Sequence, residues 1–233
     1  MAWTFADQIH SLSGYDADST SDTETGEDFN ILANQWLTDA AKEVINVLPR
    51  NLKMKCAKMT SLTDATPMDL DSFGQILHVT RENADSGYQI GCREVDPIYG
   101  ASTEDSTSLY KASATDPAYW IESDTGGDPK LFVKPNPTAS QPARVHAVSY
   151  PPNSTVWDGS NLPGEATSIS NFPDEAEYLV VIRAAITAAQ YLLATEEDPE
   201  LYIPVISSLK AQYQEGIQGL ITGTVAIPQE GAK

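Results

Sequence analysis

The sequence predicts an α+β fold: a helical bundle, formed by an N-terminal helix and a C-terminal helical hairpin, with a β-rich insertion and an extended C-terminal arm. Three observations predict it. Residues 171–220 read as two helices separated by the acidic break Glu196-Glu197-Asp198-Pro199-Glu200. Residues 29–48 repeat apolar side chains at the i, i+3, i+4, i+7 spacing of a helix with one packed side. Between them, from Lys55 to about Pro152, short apolar or alternating runs are divided by Pro, Gly, Asp and Ser at sheet-like intervals. The expected boundaries are 1–28 for a flexible acidic N-terminal segment, 29–54 with 165–220 for the bundle, 55–164 for the β-rich insertion and linker, and 221–233 for the arm.

Taken in order, residues 1–12 carry Trp3, Phe5, Ile9 and Leu12, enough for a short helix that docks on a partner. Residues 13–28 are a Ser/Thr/Asp/Glu/Gly run with almost nothing to bury, the composition of a flexible linker. Asp16, Asp18, Asp22 and Glu27 fall on ligand positions of a calcium loop, but Ser21 stands where the sharp turn needs glycine, so no metal is assigned. In the first long helix Phe29, Leu32, Ala33, Trp36, Leu37, Ala40, Val44, Val47 and Leu48 form the apolar stripe. Asn34, Gln35, Asp39, Lys42 and Glu43 form the wet face, and Pro49 ends the helix. Strands are expected at 73–81, 88–94, 119–123, 130–134 and 144–150, with Asp124-Thr125-Gly126-Gly127-Asp128 as a hairpin loop. A linker with Trp157 and Leu162 follows.

The hairpin has clear start signals. Pro173 and Pro199 sit where a first-turn proline loses no hydrogen bond. Asp174, Glu175 and Glu177 on the first helix, and Asp198 and Glu200 on the second, place negative charge at the positive helix end. From Tyr178 to Ala194 the first helix is apolar nearly all round, so it should be buried on several sides, in a bundle or in one completed by neighbouring subunits. Ala184, Ala185, Ala188 and Ala189 make a flat face for close helix approach. Arg183 must reach a carboxylate or water, across a subunit boundary or at the bundle edge. These five residues are the candidate inter-subunit face. Beyond Leu220, Gly223 releases the chain from helical geometry, and Val225 and Ile227 alternate with smaller residues ahead of Pro228, a pattern for an extended arm.

Composition narrows the function. At 233 residues, 41% hydrophobic and 20% charged, the chain can bury a proper core and is not disordered as a whole. A formal net charge of −19 disfavours binding to nucleic-acid phosphates or anionic membranes, and would also repel DNA from a surface it slides past. Cys56 and Cys92 form no C-x-x-C pair, which points to a reducing compartment, and no secretory signal opens the sequence. The longest apolar run, interrupted by Arg183, Thr187 and Gln190, is too short and polar for a membrane span.

Chemistry is sparse. His10, His78 and His146 are scattered, and no metal-ligand spacing, phosphate loop or nucleophile elbow occurs, so no catalytic, cofactor or metal residue is assigned. Lysines near Cys56 would lower its thiol pKa, but no base is placed to use it. Arg50, Lys53, Lys55 and Lys58 are the basic cluster, read as partner contacts or a solvated face. Asn153-Ser154-Thr155 is a formal glycosylation triplet without meaning in a non-secreted chain.

Three patterns occur together: Ala118-Tyr119-Trp120-Ile121-Glu122, Leu131-Phe132-Val133-Lys134-Pro135-Asn136-Pro137 and Val145-His146-Ala147-Val148-Ser149-Tyr150; then Asn171-Phe172-Pro173-Asp174-Glu175; then Glu196-Glu197-Asp198-Pro199-Glu200-Leu201-Tyr202. This succession resembles the head-to-tail adaptor (connector) proteins of tailed bacteriophages, the group that includes tail tubular protein A, over roughly residues 29–220. The resemblance implies a non-enzymatic structural virion protein at the neck, made in the host cytoplasm and free of cofactors. It implies a homo-oligomeric ring of about twelve copies between portal protein and tail or nozzle protein. DNA would pass through the channel without specific binding, and no membrane is involved. It also implies that Thr224, Val225, Ala226, Ile227 and Pro228 contact the portal. The acidic N-terminal segment departs from the simplest adaptors. Competing readings are a stopper, tail-completion or head-decoration protein, a small hydrolase using Asp64, Asp69 and Asp71, or an acidic binding module outside viruses.

Overall fold

Thr4 opens the first helix: its hydroxyl accepts a hydrogen bond from the Asp7 amide while the Asp7 carboxylate accepts one from the Thr4 amide, a reciprocal cap that fixes where α1 (Phe5–Ser13) starts. The structure, a computed structural model, describes residues 3–15, 29–71, 73–83, 86–151, 156–195 and 199–223. The chain divides into two units, one formed by residues 1–56 and 150–233, the other by 57–149.

The helical unit adds α2 (Phe29–Val47), the short α3 (Arg50–Lys53), α4 (Asp174–Thr195) and α5 (Tyr202–Gly223). Helix α4 is its centre and touches α1, α2 and α5. The apolar sequence of α4 becomes burial on several sides: Leu179, Val180, Val181, Ile182 and Ile186 are all buried. By length and composition alone α4 would suffice to cross a membrane, but half of its apolar window is buried against the other helices of this unit. Helix α1 does not wait for a partner. Phe5 and Ile9 are buried, the Phe5 and Ala6 amides donate to the carbonyls of Ala166 and Gly164, and the Phe5 ring meets Trp157 edge-on at 6.1 Å. Trp157, Ala166, Ile169 and Phe172 are buried here too, so the stretch ahead of α4 is packed rather than a loose linker.

The β unit comprises β1 (Ala57–Leu62), β2 (Met68–Asp69), β3 (Phe73–Glu82), β4 (Gln89–Gly91), β5 (Arg93–Glu94), β6 (Ala118–Ser123), β7 (Pro129–Lys134) and β8 (Ala143–Ser149). One sheet has the order β1-β8-β3-β4 and the other β2-β7-β6-β5. All neighbours are antiparallel except β5 and β6. The chain passes between sheets at Cys92. Its amide donates to the Val79 carbonyl in the first sheet (2.8 Å), and the Arg93 amide, one residue on, donates to the Pro117 carbonyl beside the second (2.9 Å). Val79, Val145 and Ala147 from the first sheet and Met68, Leu131 and Val133 from the second form one core.

The observed fold is mixed α+β, but it is not a helical bundle carrying a β-rich insertion. The described residues form two four-stranded sheets as well as five helices, and the sheets share a core of their own. The physical reason lies in β1 and β2. In Ala57–Leu62 no side chain is fully buried, and β2 is two residues long, so neither carries the alternation that marks a half-buried strand. Each exists because a partner, β8 or β7, supplies the hydrogen bonds.

Candidate functional site

Three helix stripes converge on one groove in the helical unit. Helix α2 contributes Glu43 and Val47, one turn apart. Helix α4 contributes Arg183, Ile186 and Gln190, and α5 contributes Lys210, Tyr213, Gln214, Ile217 and Gln218. Spacings of three and four residues put each set on one face of its helix. A cavity of about 330 Å³ over Arg183, Ile186 and Lys210 adjoins one of about 390 Å³ over Val47 and Ile217. Glu43, Tyr213 and Gln214 line both. The groove exists because α2 and α5 both lean on α4 without closing over it.

Its polar centre is built from named pairs. Arg183 Nε donates to Glu43 Oε2 at 2.7 Å, and Arg183 Nη1 donates to Thr187 Oγ1 at 2.9 Å. The Tyr213 hydroxyl oxygen is buried and makes no hydrogen bond among the described residues. Burial first, then the nearby Glu43 charge, pushes the Tyr213 phenol up to about 12. The hydroxyl therefore stays protonated, a donor turned to the Glu43 carboxylate just outside good hydrogen-bond geometry. A second exposed surface lies on the β unit. The Tyr99 and Tyr110 rings stack at 4.2 Å, flanked by Ile98 and a wholly exposed Leu109. Arg93 organises that loop by donating to the carbonyls of Tyr110 (2.6 Å) and Lys111 (3.2 Å) and to Asp116 (2.9 Å).

The residues singled out by sequence fall as follows. Arg183 finds its carboxylate inside its own chain. Ala184, Ala185, Ala188 and Ala189 are completely buried in the single chain, so this flat face is used up within the subunit and is not open to a second one. Thr224, Val225, Ala226, Ile227 and Pro228 lie outside the described residues, as do the calcium-loop positions Asp16, Asp18, Asp22 and Glu27 and the triplet Asn153-Ser154-Thr155. Asp64 accepts from the Thr66 amide (2.8 Å). Asp69 accepts from the Asp71 amide (3.0 Å) and from Lys130 (3.0 Å). These contacts hold the Asp64 and Asp69 carboxyls below the usual carboxylate range, the signature of turn caps rather than of an acid–base pair. Burial pushes the Cys56 thiol up to about 11 despite Lys53 and Lys55, the reverse of activation, and Lys55 instead pairs with Glu175 at 2.6 Å. His78 and His146 stack at 4.1 Å across β3 and β8. Among the described residues, no three His, Cys, Asp or Glu side chains gather where a metal ion would sit.

Tyr213 and Val47 were not marked as site residues by sequence. The spacing Ile206, Leu209, Tyr213, Ile217 and Leu220 marks the inner face of α5, but nothing along the chain says that α2 stops short of covering it. No family model matches this chain, and no curated protein matches it.

Proposed function

We propose that the protein is a structural virion protein, a head-to-tail adaptor that assembles as a ring between the portal and tail of a phage particle and lets DNA pass. The observation that carries the reading is the bareness of α5. Of its described side chains only Ile206 and Leu209 are buried, while Leu201 just before the helix is 68% exposed and Ile203 within it 55%. A helix of this length gains most of its stability from packing, so α5 is suited to further contacts in an assembly. The exposed Ile98, Tyr99, Leu109 and Tyr110 surface offers the β unit a separate contact. The order of sequence segments supports the choice of partners, and the turn-capping roles of Asp64 and Asp69 speak against the hydrolase reading.

The net charge of −19 fits the same role. Repeated round a channel, it presents a negative field whose reach is about 8 Å at physiological salt, enough to keep DNA from adhering at contact. The test is copy number: electron microscopy of particles, and of the purified protein mixed with the portal, should show a ring. One or a few copies per particle would overturn the proposal. Tight, strongly salt-dependent binding to duplex DNA would overturn the passive-channel part of it.

A further inference from the structure

On the outer face of the β1-β8-β3-β4 sheet, three side chains able to ligate a metal stand in one row. Met59 of β1 is paired with His146 of β8, and His146 in turn with His78 of β3. Residues directly opposite across a ladder share a face, and their Cβ atoms lie about 4.5–5.5 Å apart. Val79 and Val145, one residue along each strand, belong to the core, so the row lies on the other side of the sheet. We propose that Met59, His146 and His78 together bind a single copper(I) ion. Three observations lead there.

The first is that the ring nitrogens are uncommitted. The two imidazoles stack on each other at 4.1 Å and 17°, and among the described residues neither makes a hydrogen bond. His10, by contrast, holds Nδ1 3.2 Å from the Tyr15 carbonyl oxygen. Parallel rings do not aim at one point, but a turn of one ring about its Cβ–Cγ bond makes them converge, and that torsion is broad in histidine. The second is access. Met59 is 51% exposed, and both histidines are half-buried. A Cβ built on Gly91, the β4 partner of Thr80, would meet nothing within 4 Å, so the neighbouring end of this face is open. The unbranched thioether of Met59 can swing over an ion that arrives from solvent. The third is donor chemistry. A thioether is a soft ligand that selects copper(I), and imidazole accepts copper as it does zinc. Hard ions find no carboxylate in the row. Arg144, two residues from His146 on the same face, acts on it by its charge, and it repels a divalent ion twice as strongly as a monovalent one.

The test uses the full-length chain, titrated with copper(I) under argon against a chromogenic copper(I) chelator. One ion per chain should be held, and X-ray absorption at the copper edge should show one sulfur and two imidazole nitrogens around it. Met59→Leu should remove the sulfur. His78→Gln and His146→Gln should each weaken binding by about tenfold or more, because even an outer-shell support of a metal ligand is worth that much. Unchanged affinity in either histidine variant overturns the proposal. A sulfur signal that survives Met59→Leu would assign the ion to Cys56 or Cys92 and overturn it too. Zinc held as tightly as copper(I) would count against the thioether and overturn the choice of ion. None of these readouts depends on ring assembly.

Discussion

In the β unit Leu131, Ala143, Val145 and Ala147 are completely buried between two sheets of one chain, whereas in the helical unit α5 beyond Leu209 leaves Tyr213, Ile217 and Leu220 only half covered. Both units are built on apolar periodicity, so the difference lies in how each kind of element finds a second face. Two sheets stacked on each other bury their inner faces mutually, and their ladders satisfy the backbone. A helix packed on one neighbour buries one stripe and leaves its flanks for something else. The β unit thus completes its core internally, and the helical unit retains an open groove.

The sharpest way to break this comparison is truncation of matched apolar residues. Leu131→Ala should cost about 2–5 kcal/mol in urea unfolding, because a fully enclosed site cannot collapse around the loss. Ile217→Ala should cost well under half as much, since water already reaches that side chain; equal losses would mean the groove is closed. Next in size is Ala188→Leu. Ala188 is completely buried, so the added methyls overpack α4 by about 1–3 kcal/mol. A stable variant in thermal melts would show the alanine face to be open. Gly100→Ala probes the β unit in the same way. Its new Cβ would meet the Trp120 ring at 2.8 Å, and Trp120 is buried, so a loss of about 1–2 kcal/mol is expected from the same overpacking rule.

Smaller effects separate the units further. The Arg183–Glu43 pair is partly solvated, and a double-mutant cycle through Arg183→Met and Glu43→Gln should return a coupling below about 1 kcal/mol. A larger coupling would mark the groove as drier than its exposure indicates. Finally, burial, then His78 and Arg144, hold His146 below the usual histidine range. A depressed folded pKa means that the unfolded chain takes up the proton first. The stabilisation is therefore complete above about 6.5 and lost as pH falls below it through the folded value. The melting temperature should drop between pH 7.5 and 5.5, and His146→Phe should flatten that slope; an unchanged slope would place the acid sensitivity elsewhere.

Local pattern and tertiary structure divide the account in a consistent way. The stripe at 29–48 became Phe29–Val47, and the two halves of 171–220 became Asp174–Thr195 and Tyr202–Gly223, because 3.6-residue periodicity is a property of neighbouring residues; the acidic first turn holds for α4 alone, since Pro199–Leu201 form a separate 3-10 turn and α5 starts at Tyr202. The strands expected at 73–81, 119–123, 130–134 and 144–150 appear within one residue at each end, since alternation and turn residues are equally local; the run expected at 88–94 is split at Cys92, where it changes sheets. Strands β1 and β2 were not legible, because their identity depends on hydrogen bonds to β8 and β7 far along the chain.

The groove was not legible either. Glu43 belongs to the wet face of α2 by periodicity, and Arg183 interrupts an apolar helix by composition, yet nothing in either segment says that they meet at 2.7 Å. By itself the sequence determined the long helices and most of the strands, which faces are apolar and the net charge, for these follow from residue type and spacing over a few turns. Only the tertiary structure decided that the sheets share a core, that the alanine face of α4 is consumed within the subunit, and that α2 and α5 part over Tyr213. Those outcomes turn on which surfaces far apart in the chain meet and how completely they fit, a competition that no short window of sequence contains.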